Sequence, residues 1–281
     1  MKVPVPFEYV KARSLQDIFE AFKRFRSPFV ISGGTVGVLM LKNRVVRPDA
    51  VLDVSEIPEL NQLSVSENEV FVGSGIKLYK LKHLLPQDPA SELVIKSAES
   101  VGDLAIRSMG SVGGNVCLGD PSNDLPVAFT AIGARAVVVN ENEKREVYVK
   151  DFYKGPFRTV LERGEILLGV KYSRLFGYRT SYNKHFIRFL DHYVAMVAAA
   201  AKLSEDRIED LRFAVAGEAV GMPVLLELGS FKLDELDAAK EMIQSFSNSL
   251  KTKSDRFGTE GYKKKVVYTL MNKSLEEVVK R

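Results

Sequence analysis

Ile31-Ser32-Gly33-Gly34-Thr35 (ISGGT) and Ser111-Val112-Gly113-Gly114-Asn115 (SVGGN) place two paired glycines behind apolar runs, each with a serine nearby and a hydrogen-bonding residue after it. One such pair is ordinarily a turn, because glycine adopts positive φ at no steric cost. Two together suggest more. A glycine loop brings successive backbone N–H groups close to an anion, and a following helix N-terminus adds its positive end. One loop can hold one phosphate, so two facing loops suit the linked phosphates of a dinucleotide. Each backbone bond to a charged oxygen is worth roughly 1.5 to 3 kcal/mol, so four or five hold such a ligand without any lysine or arginine. The hydroxyls of Ser32, Thr35 and Ser111 and the amide of Asn115 add donors. Beyond them, D-P-S-N-D supplies Asp120, read as a turn residue before Pro121, and Asp124, read as an acceptor for ribose hydroxyls.

The flanking sequence supports a strand, glycine loop and helix start at the first pair. Ser14 to Asp17 has the form of a capping box, and Leu15, Ile18, Phe19, Phe22 and Phe25 follow at helical spacing, predicting a helix over 15–25. P-F-V-I before the glycines reads as a strand, V-G-V-L-M-L-K-N after them as one or two helical turns, and Ala50 to Asp53 as another strand. A first module, 1–54, closes there. The second, 55–175, opens with a strand at Glu69 to Val72 and continues through two helical stretches to the second glycine pair. It ends with strands Ala136 to Val139 and Glu146 to Val149 around N-E-N-E-K. In the third part, 176–281, the apolar run H-Y-V-A-M-V-A-A-A-A-K-L, the turn S-E-D-R-I-E-D and the run L-R-F-A-V-A-G-E-A predict a long antiparallel hairpin, and helices are expected over 233–250 and 260–279.

Composition narrows the class. The 281 residues are 46% hydrophobic, enough for two or three modules with real cores. The net charge of +4 comes from mixed basic and acidic residues, which indicates no nucleic-acid surface, and Lys263-Lys264-Lys265 reads as a solvated helix face. The opening stretch has prolines and charges where a signal peptide needs an apolar core, and no run is long enough to span a membrane, so a cytoplasmic protein is expected. Cys117 is the only cysteine; an iron–sulfur cluster or thiolate zinc site must therefore belong to a partner. His83, His185 and His192 lack the spacing of a metal motif. Gly73-Ser74-Gly75 follows a strand, but Leu78 stands where a nicotinamide-binding loop needs its third glycine.

With these residues in view, the chain resembles the FAD-binding medium subunit of the molybdenum hydroxylases, the group of xanthine, carbon monoxide and aldehyde dehydrogenases. The resemblance covers nearly the whole length. S-G-G-T-V-G-V-L-M-L-K-N is similar to the first pyrophosphate loop of the family, and I-R-S-M-G-S-V-G-G-N with the following D-P-S-N-D to its most specific signature. D-F-Y-K-G-P-F-R-T-V-L-E-R-G-E-I-L-L-G-V and Y-N-K-H-F-I-R-F-L-D-H-Y-V-A-M-V-A-A-A-A are similar to the segments that lead into and through the last domain. Within the group, the chain looks most like the medium chain of archaeal aldehyde oxidoreductases of the glyceraldehyde type.

The resemblance implies an α+β fold, with a two-module FAD-binding domain of the PCMH type followed by a C-terminal domain of antiparallel sheet and helices. It implies noncovalent FAD, with Ser32, Gly33, Gly34, Thr35 and Val36 and Ser111, Val112, Gly113, Gly114 and Asn115 on the pyrophosphate, and Asp124 on the ribose. Leu168 would pack near the adenine or the isoalloxazine, Lys184 would approach the flavin ring, and Tyr193 falls where some members place a residue over one flavin face. Ser111 replaces the commoner threonine, D-H-Y stands where many relatives have Asp-Phe-Ala or Asp-Tyr-Ala, and the four-cysteine loop of some relatives has no counterpart. The implied chemistry is electron transfer, with no catalytic acid, base or nucleophile in this chain and no metal of its own. Electrons would arrive from [2Fe–2S] clusters of a small subunit, after oxidation of substrate at the molybdopterin of a large one. A stand-alone FAD-dependent reductase or oxidase of the same fold, and a flavin-free interaction subunit, remain open at this point.

Overall fold

The computed structural model describes residues 6–188 and 192–280. The chain opens with β1 (Glu8–Lys11), α1 (Leu15–Arg24), β2 (Pro28–Ile31), α2 (Gly37–Lys42) and β3 (Ala50–Asp53). Ser14 Oγ accepts from the Asp17 N–H at 3.2 Å, and the Asp17 carboxylate accepts from the Ser14 N–H at 3.1 Å, so the capping box forms with aspartate in the usual glutamate place. Ile18, Phe19 and Ala21 bury the inner stripe of α1. Both β1 and β2 pair in parallel with β3. The sequence reading missed β1, because Glu8, Tyr9 and Lys11 give it no apolar alternation; its edge position leaves three of its four residues exposed.

The middle of the chain runs through β4 (Leu63–Val65), β5 (Glu69–Gly73), α3 (Leu81–Leu84), α4 (Pro89–Ser100), α5 (Leu104–Met109), α6 (Val112–Cys117), α7 (Asp124–Ala131), β6 (Arg135–Val139) and β7 (Lys144–Tyr148). A short ribbon, β8 (Tyr153–Gly155) and β9 (Arg158–Thr159), precedes β10 (Ile166–Ser173). These strands make an antiparallel sheet in the order β4-β5-β10-β6-β7, with β10 inserted between strands that come earlier in the sequence.

The last part is a meander of β11 (Tyr178–Phe186), β12 (Tyr193–Leu203), β13 (Arg207–Gly217) and β14 (Gly221–Glu227), with β15 (Phe231–Lys232) beside β13, followed by α8 (Leu236–Ser249) and α9 (Glu260–Val279). The β12–β13 connection is tighter than the sequence suggests, since the Ser204 N–H already bonds the Arg207 carbonyl at 2.9 Å; polar Arg207, Glu209 and Asp210 stay in the strand because their side chains project to solvent or to ion pairs, while Ile208 between them is buried. β12 is apolar without alternation because both its faces are covered. Met196 and Ala198 join the core of the middle part, whereas Ala195, Val197, Ala199 and Ala201 join a second core under α8 and α9.

The cores cross the divisions drawn on the sequence. Ile57, Leu60 and Ile166 bury against the first sheet, and Tyr193, Met196, Ala214 and Ala216 belong to the core of the middle part. The lysine triplet is also corrected. Lys263 is fully buried, its Nζ 2.6 Å from Asp255 Oδ2 and 2.9 Å from the Lys253 carbonyl, because it shares the inward stripe of α9 with Val267, Leu270, Met271 and Ser274. Only Lys265 of the three is exposed.

Candidate cofactor cleft

The two glycine segments meet. A Cβ on Gly33 would lie 1.9 Å from the Met109 carbonyl oxygen, so the first loop passes directly over the chain entering the second. Between them opens a cleft of about 450 Å³, lined by Ser32 to Gly37 on one side and by Gly110, Ser111, Gly114 and Asn115 on the other. That volume is within the usual range of small-molecule sites. Phe29, Met40, Val101, Ile106, Leu118 and Phe157 supply apolar wall.

The loops are not equivalent. In the first, Gly34 has φ +75°, and the N–H groups of Gly33, Gly34, Thr35 and Val36 meet no acceptor among the described residues. Ser32 Oγ is buried there with no hydrogen-bond partner among the described residues. An unpartnered buried hydroxyl costs about 1 to 3 kcal/mol, which a ligand oxygen would remove. In the second loop the amides of Val112 to Asn115 are already used: Val112 N–H on the Ile76 carbonyl (2.9 Å), Gly113 N–H on that of Ser74 (2.7 Å), Gly114 N–H on Ser111 Oγ (3.1 Å) and Asn115 N–H on the Ser111 carbonyl (3.0 Å). That loop offers side chains instead. Ser111 keeps its own O–H to donate, and Asn115, whose Oδ1 accepts from the Leu125 N–H at 3.2 Å, keeps its NH₂. The first loop thus leaves backbone amides unpaired beside the cleft, whereas the second has side-chain donors, Ser111 and Asn115, on the facing wall.

Within each pair the first glycine serves contact and the second serves the cleft. Gly113 is buried, and a Cβ on it would stand 2.6 Å from that of Ser74, so its small size is needed for packing. Gly114 is exposed to the cleft, where a Cβ would meet only Ser111 Oγ, at 3.2 Å. The Gly73-Ser74-Gly75 turn is thus a structural hub. Its Ser74 N–H bonds the Leu168 carbonyl at 3.0 Å, its Gly75 N–H that of Leu60 at 2.7 Å, and its Ser74 carbonyl holds the second loop.

Asp124 is 2% exposed and turned from the cleft. Its Oδ1 accepts from Tyr182 Oη at 2.7 Å and from Lys184 Nζ at 2.9 Å. Burial pushes its carboxyl above the ordinary carboxylate range, and the Lys184 ammonium and Tyr182 hydroxyl offset only part of that. Lys184 also donates to the Ser100 carbonyl, and its Nζ stands 3.9 Å from the centroid of the Tyr193 ring, itself 8% exposed. This cluster lies one residue behind the cleft at two points, since Val101 and Asn123 line it. Asp120 takes the turn role, accepting from the Ser122 N–H at 2.8 Å. Leu168 packs against the first core and does not line the cleft. Of the D-H-Y tripeptide, Asp191 lies outside the described residues, as do residues 1–5 of the opening stretch.

Residues 5–172 match the family model for the FAD binding domain in molybdopterin dehydrogenase. The chain belongs to this family. The glyceraldehyde dehydrogenase medium chain of Sulfolobus acidocaldarius is 33% identical over 98% of this chain and 99% of its own. The nicotine 6-hydroxylase medium subunit of Paenarthrobacter nicotinovorans is 24% identical over 99% and 98%. The fold is that of a chain in the carbon monoxide dehydrogenase structure from Hydrogenophaga pseudoflava, with a TM-score of 0.89 at 22% identity over 99% of this chain and 98% of that one. Among the described residues no helix is long and apolar enough to cross a membrane.

As an FAD-binding chain, it carries a fitting donor set: a buried hydroxyl without a partner, free amides beside a glycine at positive φ, and an apolar remainder suited to flat rings. Sequence reasoning missed the Ser74 hub and the cleft residue Phe157. The first had a signal in its two glycines, which the search for a nicotinamide loop had set aside. The second had one in Gly155-Pro156-Phe157-Arg158, a turn with phenylalanine in a glycine position.

Proposed function

We propose that this chain is the FAD-carrying, electron-transfer subunit of a heteromeric molybdenum-dependent oxidoreductase of the aldehyde dehydrogenase kind. The observation that carries the reading is the first loop, in which Ser32 to Val36 line the cleft while Ser32 Oγ and the amides of Gly33 to Val36 have no hydrogen-bond partner among the described residues. Those groups would hold the pyrophosphate, with Ser111 O–H and the Asn115 amide opposite. FAD, when bound, supplies one- and two-electron chemistry. The chain's own residues bind and orient it and exclude water from one side. Residues 1–54 and 55–175 form the two sides of the clamp, and 176–281 back it through the Asp124–Lys184 pair.

The Sulfolobus relative supports the glyceraldehyde-type assignment within the family. A large molybdopterin-binding subunit and a small [2Fe–2S] subunit complete the complex, since Cys117 alone cannot ligate a cluster. Cysteine-ligated clusters suit the reducing cytoplasm, which we take as its location. The purified chain should bind about one FAD per chain, released by heat or acid, and the native particle should contain molybdenum and iron with the flavin. A folded chain without flavin absorbance after FAD addition would overturn the flavoprotein reading. A metal-free homo-oligomer turning over substrate unaided would overturn the subunit reading.

A further inference from the structure

The Gly155↔Arg158 pair closes the β8–β9 ribbon around two residues, Pro156 and Phe157. Proline at the second position and positive φ at the third are the sign pattern of a type II turn, in which the third position belongs to glycine. Phe157 occupies it at φ +57°. A bulky side chain is strained there, and such strain survives only when something else requires the residue.

The fold does not supply that requirement. Phe157 is 58% exposed, and its ring stacks on no other ring among the described residues. Its backbone is nevertheless fixed. The Phe157 N–H donates to the Gly119 carbonyl at 2.6 Å, and Gly119, at φ +65°, lets the Phe157 Cα approach so closely that a Cβ there would stand 3.2 Å from it. The ribbon is tied to α6 from the other side by Tyr153 Oη, which donates to the Val116 carbonyl at 3.0 Å. A strained aromatic is thus held against the cleft beside Cys117 and Leu118, on the helix that presents Gly114 and Asn115.

We infer that Phe157 is a positioning residue that covers one planar ring of the cofactor. This rests on the FAD reading above. Aromatic side chains favour offset or edge contact with a flat π-system, and an exposed phenylalanine at the mouth of an apolar cleft gains such a partner only when a ring enters. Both ring systems of FAD share that chemistry, and fragments carrying one ring each distinguish them.

The test compares the full chain with F157G, F157A and F157Y by titration with FAD, FMN and ADP and by thermal unfolding without ligand. F157G should melt at or above the temperature of the unaltered chain, because glycine relieves the turn. It should bind FAD about tenfold more weakly, equivalent to about 1.4 kcal/mol. F157A should weaken binding similarly, and F157Y should restore it. FMN is weakened if the ring covered is the isoalloxazine, and ADP if it is the adenine. The bound flavin should change in absorption and fluorescence in the first case alone, a readout that a structural role would not move. FAD binding by all variants as tight as by the unaltered chain would overturn the inference and leave the flavoprotein reading standing. A large drop in the melting temperature of F157G would also overturn it, by showing that the ring holds the fold. Absence of FAD binding by the unaltered chain would instead remove the reading on which it rests.

Discussion

Lys184 Nζ stands 2.9 Å from Asp124 Oδ1, with the lysine 14% and the aspartate 2% exposed at the side chain, so two charges that the sequence assigns to a cofactor are set against each other behind the cleft between the glycine loops. The pair joins the first turn of α7 to the last third of β11, linking the cleft wall to the C-terminal sheet.

Lys184→Met should destabilise the FAD-free chain by about 3 to 5 kcal/mol near pH 8, because it leaves a buried carboxylate without its cation. The pH dependence has a definite sign. Asp124 holds its proton to higher pH in the folded than in the unfolded chain, so its contribution is fullest below the ordinary carboxylate range and is lost as pH rises through the raised value. Loss of the ammonium raises that value further. The deficit of the variant, measured by denaturant unfolding, should therefore grow with rising pH and shrink with falling pH; a constant deficit would mean the carboxylate is not the group left unpaired.

Ser32→Ala should behave in the opposite way. Ser32 Oγ has no partner among the described residues, so the free chain should lose nothing in thermal stability. FAD binding should weaken by about 1.5 to 3 kcal/mol, the value of one hydrogen bond to a charged oxygen. A lower melting temperature with unchanged FAD affinity would place that hydroxyl in the fold rather than in the site.

The glycines should separate by the direction of the missing Cβ. Gly33→Ala, driven into the Met109 carbonyl, should lower both stability and FAD affinity, and Gly113→Ala, driven into Ser74, should lower stability first. Gly114→Ala meets only a hydroxyl and should leave the melting temperature within a few degrees while weakening FAD. Gly34→Ala adds roughly 1 to 2 kcal/mol of strain at its positive φ. Equal effects at Gly113 and Gly114 in both assays would contradict this division.

Arg145→Ala tests the pairing that closes the second sheet onto the loop before β10. Arg145 Nε and Nη2 each lie 2.7 Å from a different Glu165 oxygen, and these bonds hold the Glu165 carboxyl below its ordinary range. Stability from Glu165 is present above that range and is lost as pH falls through the depressed value. The variant should lose about 1 to 3 kcal/mol at neutral pH, and the difference from the unaltered chain should shrink as pH falls through the depressed value, leaving the part owed to the Arg145 bond to the Val160 carbonyl; urea titrations over a descending pH series measure both.

The sequence by itself determined the local elements whose signals lie within a few residues. Ser14 and Asp17 fix the start of α1, Ala50 to Asp53 form the strand expected of them, and Thr259 caps a helix that runs from Glu260 to Val279. It also determined where the two glycine loops stand, because paired glycines, a serine cap and an apolar approach are short-range features. Only the tertiary structure decided which way each residue faces. Gly113 and Gly114 are adjacent and identical in the sequence, yet one meets Ser74 and the other the cleft. Lys263 and Lys265 are chemically alike, and helix phase buries the first and exposes the second. Asp124 and Lys184 are 60 residues apart, and their pairing exists only because α7 packs on the sheet that carries β11. Hydrogen-bond capacity is written in the residue type, but whether it is spent inside the protein or left for a ligand depends on which distant carbonyls the fold brings within 3 Å. For that reason the amides of Val112 to Asn115 are consumed in the second loop, and those of Gly33 to Val36 in the first meet no acceptor among the described residues.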